Sequence, residues 1–290
     1  MSLRHRSSKV VGSVAAMLIL TACEPVASEA PPAPARTDIP SCLSQLGDEA
    51  RPSVPAREIF VLIDHTIELP EGLQRDVVKR VLAFIRPADR VTIVTFSASV
   101  AGRFTKVEFS GLLDGELEEE RRYDISKTLL KRYDHCMRRQ GVAAHRMIGE
   151  ALKQSLSAAD RSIPKTELLA NLQSIARDLI KPSRAEHKVV LLVSDMLENS
   201  ETLSFFGQGT IRKIDVDKEL SAVRAAGMIP EVDGAAFYVV GAGLLPGPKG
   251  RSYRSDETMR RVRGFWETYL SEAGGTLEGW GQPSLLLDLR

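Results

Sequence analysis

Apolar and polar positions along the chain follow two different patterns. Continuous apolar runs, typical of strands buried on both faces, occupy residues 58–64 (EIFVLID), 188–195 (KVVLLVSD) and 235–241 (AAFYVVG). A run rich in β-branched residues at 90–98 predicts a further strand, and residues 104–109 alternate as its hairpin partner would. These segments predict the strands of one sheet.

Polar segments with apolar residues at helical spacing lie between the strands. They are residues 73–85, 166–180, 217–226 and 258–273. Residues 111–164 break the alternation and predict a helical insertion with two short helices, at 129–136 and 148–156. Buried strands that alternate with amphipathic helices predict an α/β fold, with a doubly wound, mainly parallel sheet covered by helices on both faces.

The first 22 residues predict a signal peptide. Three basic residues precede an apolar run at 10–22, which is shorter than the roughly 20 residues of a membrane-spanning helix. The run ends in Leu-Thr-Ala-Cys at 20–23, which resembles the lipobox of bacterial lipoproteins. That resemblance implies cleavage before Cys23 and lipidation of its thiol. A plain signal peptide followed by an incidental cysteine is the alternative.

The residues after Cys23 predict how the protein is held at a membrane. Residues 24–40 are rich in Pro and Ala, which predicts an extended tether. We expect residues 23–54 to join the lipid to a folded domain at 55–290, in the cell envelope and facing the periplasm. Glu24 stands where an Asp tends to retain enterobacterial lipoproteins in the inner membrane, which favours the outer membrane.

Charge and cysteine content narrow the function further. The 39 Lys and Arg nearly balance the 38 Asp and Glu, so the chain as a whole offers no charge excess for binding nucleic acid. Lipidation of Cys23 would leave two of the three cysteines, Cys42 and Cys136. In an oxidising compartment these two predict a disulfide bond, with a pair of unpaired, buried thiols as the alternative.

Oxygen-bearing side chains follow two of the buried strands. Asp64 and Asp195 come at strand ends, Thr66 and Glu68 follow on the first loop, and Thr166 opens a predicted helix. Ligands collect at the carboxyl ends of strands in open α/β sheets, and an all-oxygen set suits Mg²⁺, Mn²⁺ or Ca²⁺. The alternative is structural, since each of these side chains is also of a type that caps helices or accepts backbone hydrogen bonds.

Six segments, in this order, resemble the von Willebrand factor type A domain over roughly residues 57–290. They are IFVLIDHTIE, the helix after it, DRVTIVTFSA, KTELLANL, KVVLLVSD and AFYVVGAG. The family carries a metal-ion-dependent adhesion site with the pattern Asp-x-Ser-x-Ser, a distant Thr and a distant Asp. The resemblance therefore implies a doubly wound fold and a divalent cation, with Mg²⁺ first.

Four residues match that adhesion site and one departs from it. Asp64 and Thr66 match the first Asp and the first Ser, while Thr166 and Asp195 match the distant pair. The resemblance implies that the two threonines ligate the metal directly and that the two aspartates hold metal-bound waters. Glu68 replaces the second Ser. It either adds charge that tightens cation binding, or occupies the position left for a partner's carboxylate, or marks a site that no longer binds metal.

Together these features predict a membrane-anchored binding or adhesion module outside the cytoplasm, which recognises a protein partner of the cell envelope through a divalent cation. One alternative is a metal-free structural scaffold of an envelope or secretion assembly, docked through residues 111–164. Another is a divalent-dependent hydrolase with Glu68 as general base. We expect no enzyme, because the sequence shows no activated nucleophile and no base with an orienting partner.

Overall fold

The computed structural model describes six stretches of the chain, residues 37–46, 54–97, 105–159, 166–207, 210–244 and 256–290. The signal peptide predicted at residues 1–22 and the lipidation predicted at Cys23 lie outside the described residues. The described stretches belong to one compact unit of the chain.

A six-stranded sheet forms the centre of this unit. The strands along the chain are β1 (Arg57–Asp64), β2 (Asp89–Phe96), β3 (Thr105–Leu112), β4 (His187–Val193), β5 (Phe206–Gly207), β6 (Thr210–Ile211), β7 (Ala236–Val240) and β8 (Thr276–Trp280). The sheet has the order β3-β2-β1-β4-β7-β8, with β3 antiparallel and the other strands parallel, while β5 and β6 form a separate ribbon. The predicted α/β fold with a mainly parallel sheet is confirmed.

Helices cover both faces of the sheet. They are α1 (Glu71–Phe84), α2 (Glu119–Tyr123), α3 (Lys127–Ser157), α4 (Leu168–Ile175), α5 (Val216–Ala225) and α6 (Asp256–Glu272). Because alternate strand residues point to opposite faces, the described core forms two clusters, one with α1 and α3 and the other with α4, α5 and α6. None of the helices in the described stretches has the length and apolar character needed to span a membrane.

The segment predicted as a helical insertion, residues 111–164, is built differently from the prediction in two respects. Strand β3 continues to Leu112, and a single 31-residue helix, α3, replaces the two short helices. The C-terminal half of α3 packs Ala144, Ile148 and Leu152 into the same core cluster as α1. The stretch between the two predicted helices, at 137–147, buries only Gln140 and Ala144, which is why the helical period is weak there.

Residues 37–46 lie within the range predicted as a tether, but they are held against the domain. Cys42 forms a disulfide bond with Cys136 of α3, so the first of the two alternatives for these cysteines is the one observed. The buried Asp114 carboxylate accepts hydrogen bonds from the Ser41 hydroxyl, the Cys42 amide and the Gln140 side chain. Ile39 is buried in the core cluster of α1 and α3. The chain therefore enters the folded body beside α3.

Candidate functional site

The candidate site lies where the order of the strands reverses. Strands β1 and β4 are neighbours at the centre of the sheet, and the chain proceeds from β1 to β2 on one side and from β4 to β7 on the other. Asp64 ends β1, and Asp195 follows the end of β4 by two residues. In doubly wound sheets this crevice, at the carboxyl ends of the strands, is the usual position of a ligand.

The Asp64 carboxylate lies at the centre of the cluster. Asp64 is buried, with only 1% of its surface exposed. One oxygen accepts hydrogen bonds from the Thr66 hydroxyl at 2.6 Å and from the Thr66 amide at 2.9 Å. The other accepts from the Ser194 hydroxyl at 2.8 Å. Burial raises the pKa of Asp64, while these hydrogen bonds act in the opposite direction.

Thr166 comes to the cluster from a different part of the chain. Its hydroxyl lies 2.7 Å from the Thr66 hydroxyl, and the residue is buried. Thr166 stands just before α4, and its carbonyl accepts a hydrogen bond from the Asn199 amide at 2.8 Å. The loop after β4 therefore holds the residue that presents the second hydroxyl.

Asp195 is buried in the loop after β4, next to Ser194. Its carboxylate accepts the Leu197 amide at 2.9 Å, and its carbonyl accepts the Gly243 amide at 2.7 Å. Met196, which follows, adopts a left-handed conformation with φ of 62°. A non-glycine residue in that region indicates a backbone held by its surroundings, and the Trp266 indole donates to the Met196 carbonyl.

The loop after β7 approaches this backbone closely. Gly241 has φ of +101°, and a Cβ atom built on it would lie 3.0 Å from the Ser194 carbonyl oxygen. Only glycine combines that conformation with that clearance. The tight approach allows the Gly243 amide to reach Asp195.

Glu198 is a buried carboxylate that connects the loop after β4 to α4. One of its oxygens accepts the Leu169 amide at 3.1 Å, at the start of the helix, and the other is buried without a hydrogen-bond partner. Desolvation raises the pKa of Glu198 to about 7. The Leu169 amide lies in the first turn of α4, where backbone amides have no hydrogen-bond partner within the helix, and Glu198 supplies that partner.

The remaining predicted ligand, Glu68, lies further along the first loop, with an exposed side chain. Within the described stretches, no three His, Cys, Asp or Glu side chains converge as a metal-binding group, so Glu68 does not join Asp64 and Asp195 in such a group. His65 turns toward α3, where its Nε2 lies 2.9 Å from the Ser155 carbonyl oxygen. The converging donors are carboxylate and hydroxyl oxygens, which fit a hard divalent cation.

Two residues of the site were not among the predicted ligands. Ser194 is the partner of Asp64, and a hydroxyl directly before a strand-end aspartate is the sequence signal that could have found it. Glu198 lies in a polar segment, and nothing in the local pattern indicates that its side chain is buried. Its role depends on the packing of α4, which is distant in sequence.

Among known proteins, this chain matches solved structures only, and it has no match by sequence. No family model matches the sequence, and no curated protein matches it. The solved structure of an aerotolerance-related membrane protein from Bacteroides fragilis covers 75% of this chain and 88% of its own, with 12% identity and a TM-score of 0.33. The pilus adhesin SpaC from Lactobacillus rhamnosus GG, in its open conformation, covers 76% of this chain but 27% of its own, with 13% identity and a TM-score of 0.37. The fold assignment follows from the strand order described above.

Proposed function

We propose that this protein is a binding module of the cell envelope, anchored by lipid on Cys23, which recognises a protein partner through a divalent cation at the sheet edge. The observation that carries the proposal is the convergence of the Thr66 and Thr166 hydroxyls beside the buried Asp64 carboxylate. These residues come from two loops, and they are the ones that the von Willebrand factor type A resemblance assigns to the adhesion site.

The donor set supports Mg²⁺ first, with Mn²⁺ and Ca²⁺ as alternatives. Thr66 and Thr166 would hold the cation directly, and Asp64 and Asp195 would hold its bound waters. Burial disfavours the charged form of Asp64, and a cation beside it would favour that form again. When bound, the cation supplies a Lewis-acidic position for a carboxylate of the partner. Glu68, on the same loop as Thr66, has an exposed side chain and would add negative charge near that position.

Three features support a location outside the cytoplasm. The basic start, the apolar run and the Leu-Thr-Ala-Cys motif agree with a lipoprotein signal. The Pro-rich residues that follow suit a tether. The disulfide between Cys42 and Cys136 belongs in an oxidising compartment, because cytoplasmic thiols are kept reduced. The outer membrane, rather than the inner, remains part of this proposal.

A metal-free scaffold is the second candidate, and one observation favours it. Both oxygens of Asp64 accept hydrogen bonds from within the chain, and the two threonine hydroxyls bond to each other. The cluster is thus satisfied by protein groups alone, as a structural joint between the loops would be. In this candidate the partner docks through α2 and α3, in the segment predicted as an insertion.

Thermal unfolding of the full chain distinguishes the two candidates. Cation binding to the folded state alone raises the melting temperature by linkage, and saturating Mg²⁺ or Mn²⁺ should raise it by about 5 °C relative to chelator. Asp64→Asn should abolish the rise, whereas Asp217→Asn, an exposed aspartate on α5, should keep it. Equal melting temperatures with cations and with chelator would favour the scaffold.

A further inference from the structure

The exposed face of α3 carries a concentration of positive charge that the proposed cation site does not use. The helix contains seven Lys and Arg against two Asp and Glu, although the whole chain has a net charge of only +1. One of its two acids, Asp134, is already paired with Arg122. All seven basic residues are exposed, and they are Lys127, Lys131, Arg132, Arg138, Arg139, Arg146 and Lys153.

Four of these residues form one stripe along the helix. Arg132, Arg139, Arg146 and Lys153 recur every seven positions, which returns each side chain to nearly the same side of a helix. At 1.5 Å per residue the stripe is roughly 32 Å long. Val142, which is 74% exposed, lies within one turn of Arg139 and Arg146. The opposite side of α3 packs into the core, so the basic side faces outward.

The basic surface continues onto α1. A groove of about 410 Å³ between α1 and α3 has Val78 and Leu156 among its lining residues, together with Lys79 and Lys153. Arg75 also lines it and is paired with Glu71. Apolar lining beside ammonium groups is complementary to the glycerol and phosphate of an anionic lipid headgroup.

We propose that this basic surface of α3 and α1 lies against a bilayer that contains anionic phospholipid. The proposal rests on the proposed lipid anchor, because the anchor determines which anionic surface is nearest. Thr37 already lies against the domain and Cys42 is bonded to α3 itself, so only the 13 residues at 24–36 separate the domain from Cys23. Fully extended, those residues would reach about 50 Å, so the basic helix would be kept at high effective concentration beside the membrane.

An acidic protein and a nucleic acid are the other polyanions that such a stripe could attract. Nucleic acid is disfavoured because the disulfide indicates an oxidising compartment outside the cytoplasm. A lipid surface is favoured over an acidic protein because the disulfide fastens the proposed tether, at Cys42, to Cys136 in the N-terminal half of α3. Basic residues near a bilayer each add attraction to anionic lipid, and this attraction weakens with salt.

The test uses the full lipidated chain, reconstituted on vesicles of phosphatidylcholine with or without phosphatidylglycerol. Val142→Trp introduces a fluorophore on the exposed face of α3, and lipids brominated near the headgroup quench it on contact. Signal from Trp266 and Trp280 is subtracted with the unsubstituted chain. We expect quenching on phosphatidylglycerol vesicles that is lost at high salt and is at least about tenfold weaker on phosphatidylcholine alone.

Two sets of substitutions, each made in the Val142→Trp chain, make the comparison specific. Changing the four residues of the stripe to Gln should abolish the quenching. The matched set changes four exposed basic residues on or beside α5 and α6, at the other face of the sheet, and should leave it intact; these are Lys213, Lys218, Arg260 and Arg263. Vesicle sedimentation of every variant reports the anchor separately from the helix.

The outcomes separate this proposal from the proposed function. If the protein sediments with both kinds of vesicle but the quenching is equal on both, the proposed contact of α3 and α1 with anionic lipid is wrong, while the proposed lipid anchor is supported. Failure to sediment with either kind overturns the anchor and this proposal together. Binding of polyglutamate at α3, without approach to phosphatidylglycerol vesicles, assigns the surface to an acidic protein and also overturns the proposal.

Discussion

The hydroxyl groups of Thr66 and Thr166 lie 2.7 Å apart, although 100 positions separate the two residues in the chain. Thr66 is oriented by Asp64, and Thr166 is positioned by the backbone of the loop after β4. The pair therefore joins the ends of β1 and β4 to the start of α4. A cation site built on this pair depends on the positions of β1, β4 and α4.

Removing one hydroxyl tests the threonine pair. We expect Thr166→Val to lose cation binding and about 1 kcal/mol of stability, because it keeps the shape of the side chain but leaves Thr66 without that partner. Thr166→Ser retains a hydroxyl and should retain most of both. Chemical denaturation with and without Mn²⁺ measures the two effects. A valine variant that still responds to Mn²⁺ like the unsubstituted chain would contradict direct ligation by Thr166.

Glu198 predicts a dependence of stability on pH. Burial raises the pKa of its carboxyl from 4.5 to about 7, so the folded protein binds this proton more tightly than the unfolded chain between those values. The resulting stabilisation is complete below pH 4.5 and is lost as the pH rises to about 7, a change of about 3 kcal/mol.

The Glu198→Gln variant removes this titration and keeps an oxygen that can accept the Leu169 amide. We compare the free energy of unfolding of the unsubstituted chain with that of the variant. The difference between the two should decrease as the pH rises from about 4.5 to 7, and it should stay constant above that range. Urea denaturation at several pH values measures it. A difference that does not change with pH would show that Glu198 does not carry the linkage.

The disulfide predicts a large loss of stability on reduction. Cys42 and Cys136 are 94 positions apart, and closing a loop of that length stabilises a folded protein by about 4 to 5 kcal/mol in the chain-entropy account. Replacing both cysteines with Ser should cost that much. Reducing agent should destabilise the unsubstituted chain to the same degree and leave the double variant unchanged. A reduced chain as stable as the oxidised one would contradict this account of the segment at 37–46.

Part of this organisation is visible in the sequence and part is not. The apolar runs that end at Asp64 and near Asp195 predict both central strands, because strands buried on both faces need continuous apolar residues. The same pattern misreads α3 as two helices, since the stretch between them, at 137–147, buries only Gln140 and Ala144. The segment predicted as one helix at 166–180 is an α-helix at Leu168–Ile175 followed by a π-helical turn at Ala176–Ile180.

Contacts between distant segments explain what local patterns leave out. Asp114 and Gln140 are polar residues with no local signal of burial, yet they bind the segment around Cys42. Ser194 and Glu198 likewise acquire their roles only when β1, β4 and α4 are assembled. The type and spacing of residues thus predict the candidate ligands, but the groups that orient them depend on tertiary packing.

Alanine substitutions at two glycines test the close approach of the loop after β7 to the Ser194 carbonyl oxygen, beside Asp195. Gly241 and Gly274 both have positive φ, but only at Gly241 would a Cβ atom meet another group, the Ser194 carbonyl oxygen. We expect Gly274→Ala to cost about 1 kcal/mol from backbone strain alone, and Gly241→Ala to cost about 1 to 2 kcal/mol more. Equal losses in denaturation would mean that the loop after β7 relaxes without disturbing Ser194.

Isothermal calorimetric titration of the full chain with Mg²⁺, Mn²⁺ and Ca²⁺ measures cation binding itself. We expect saturable binding of one cation per chain, lost in Asp64→Asn and Thr66→Val and retained in Thr66→Ser. Glu68→Gln should change the affinity without abolishing binding, because the directly ligating hydroxyls remain. The absence of saturable heat with all three cations, from protein whose fold is verified by its unfolding transition, would contradict the cation-bridged function.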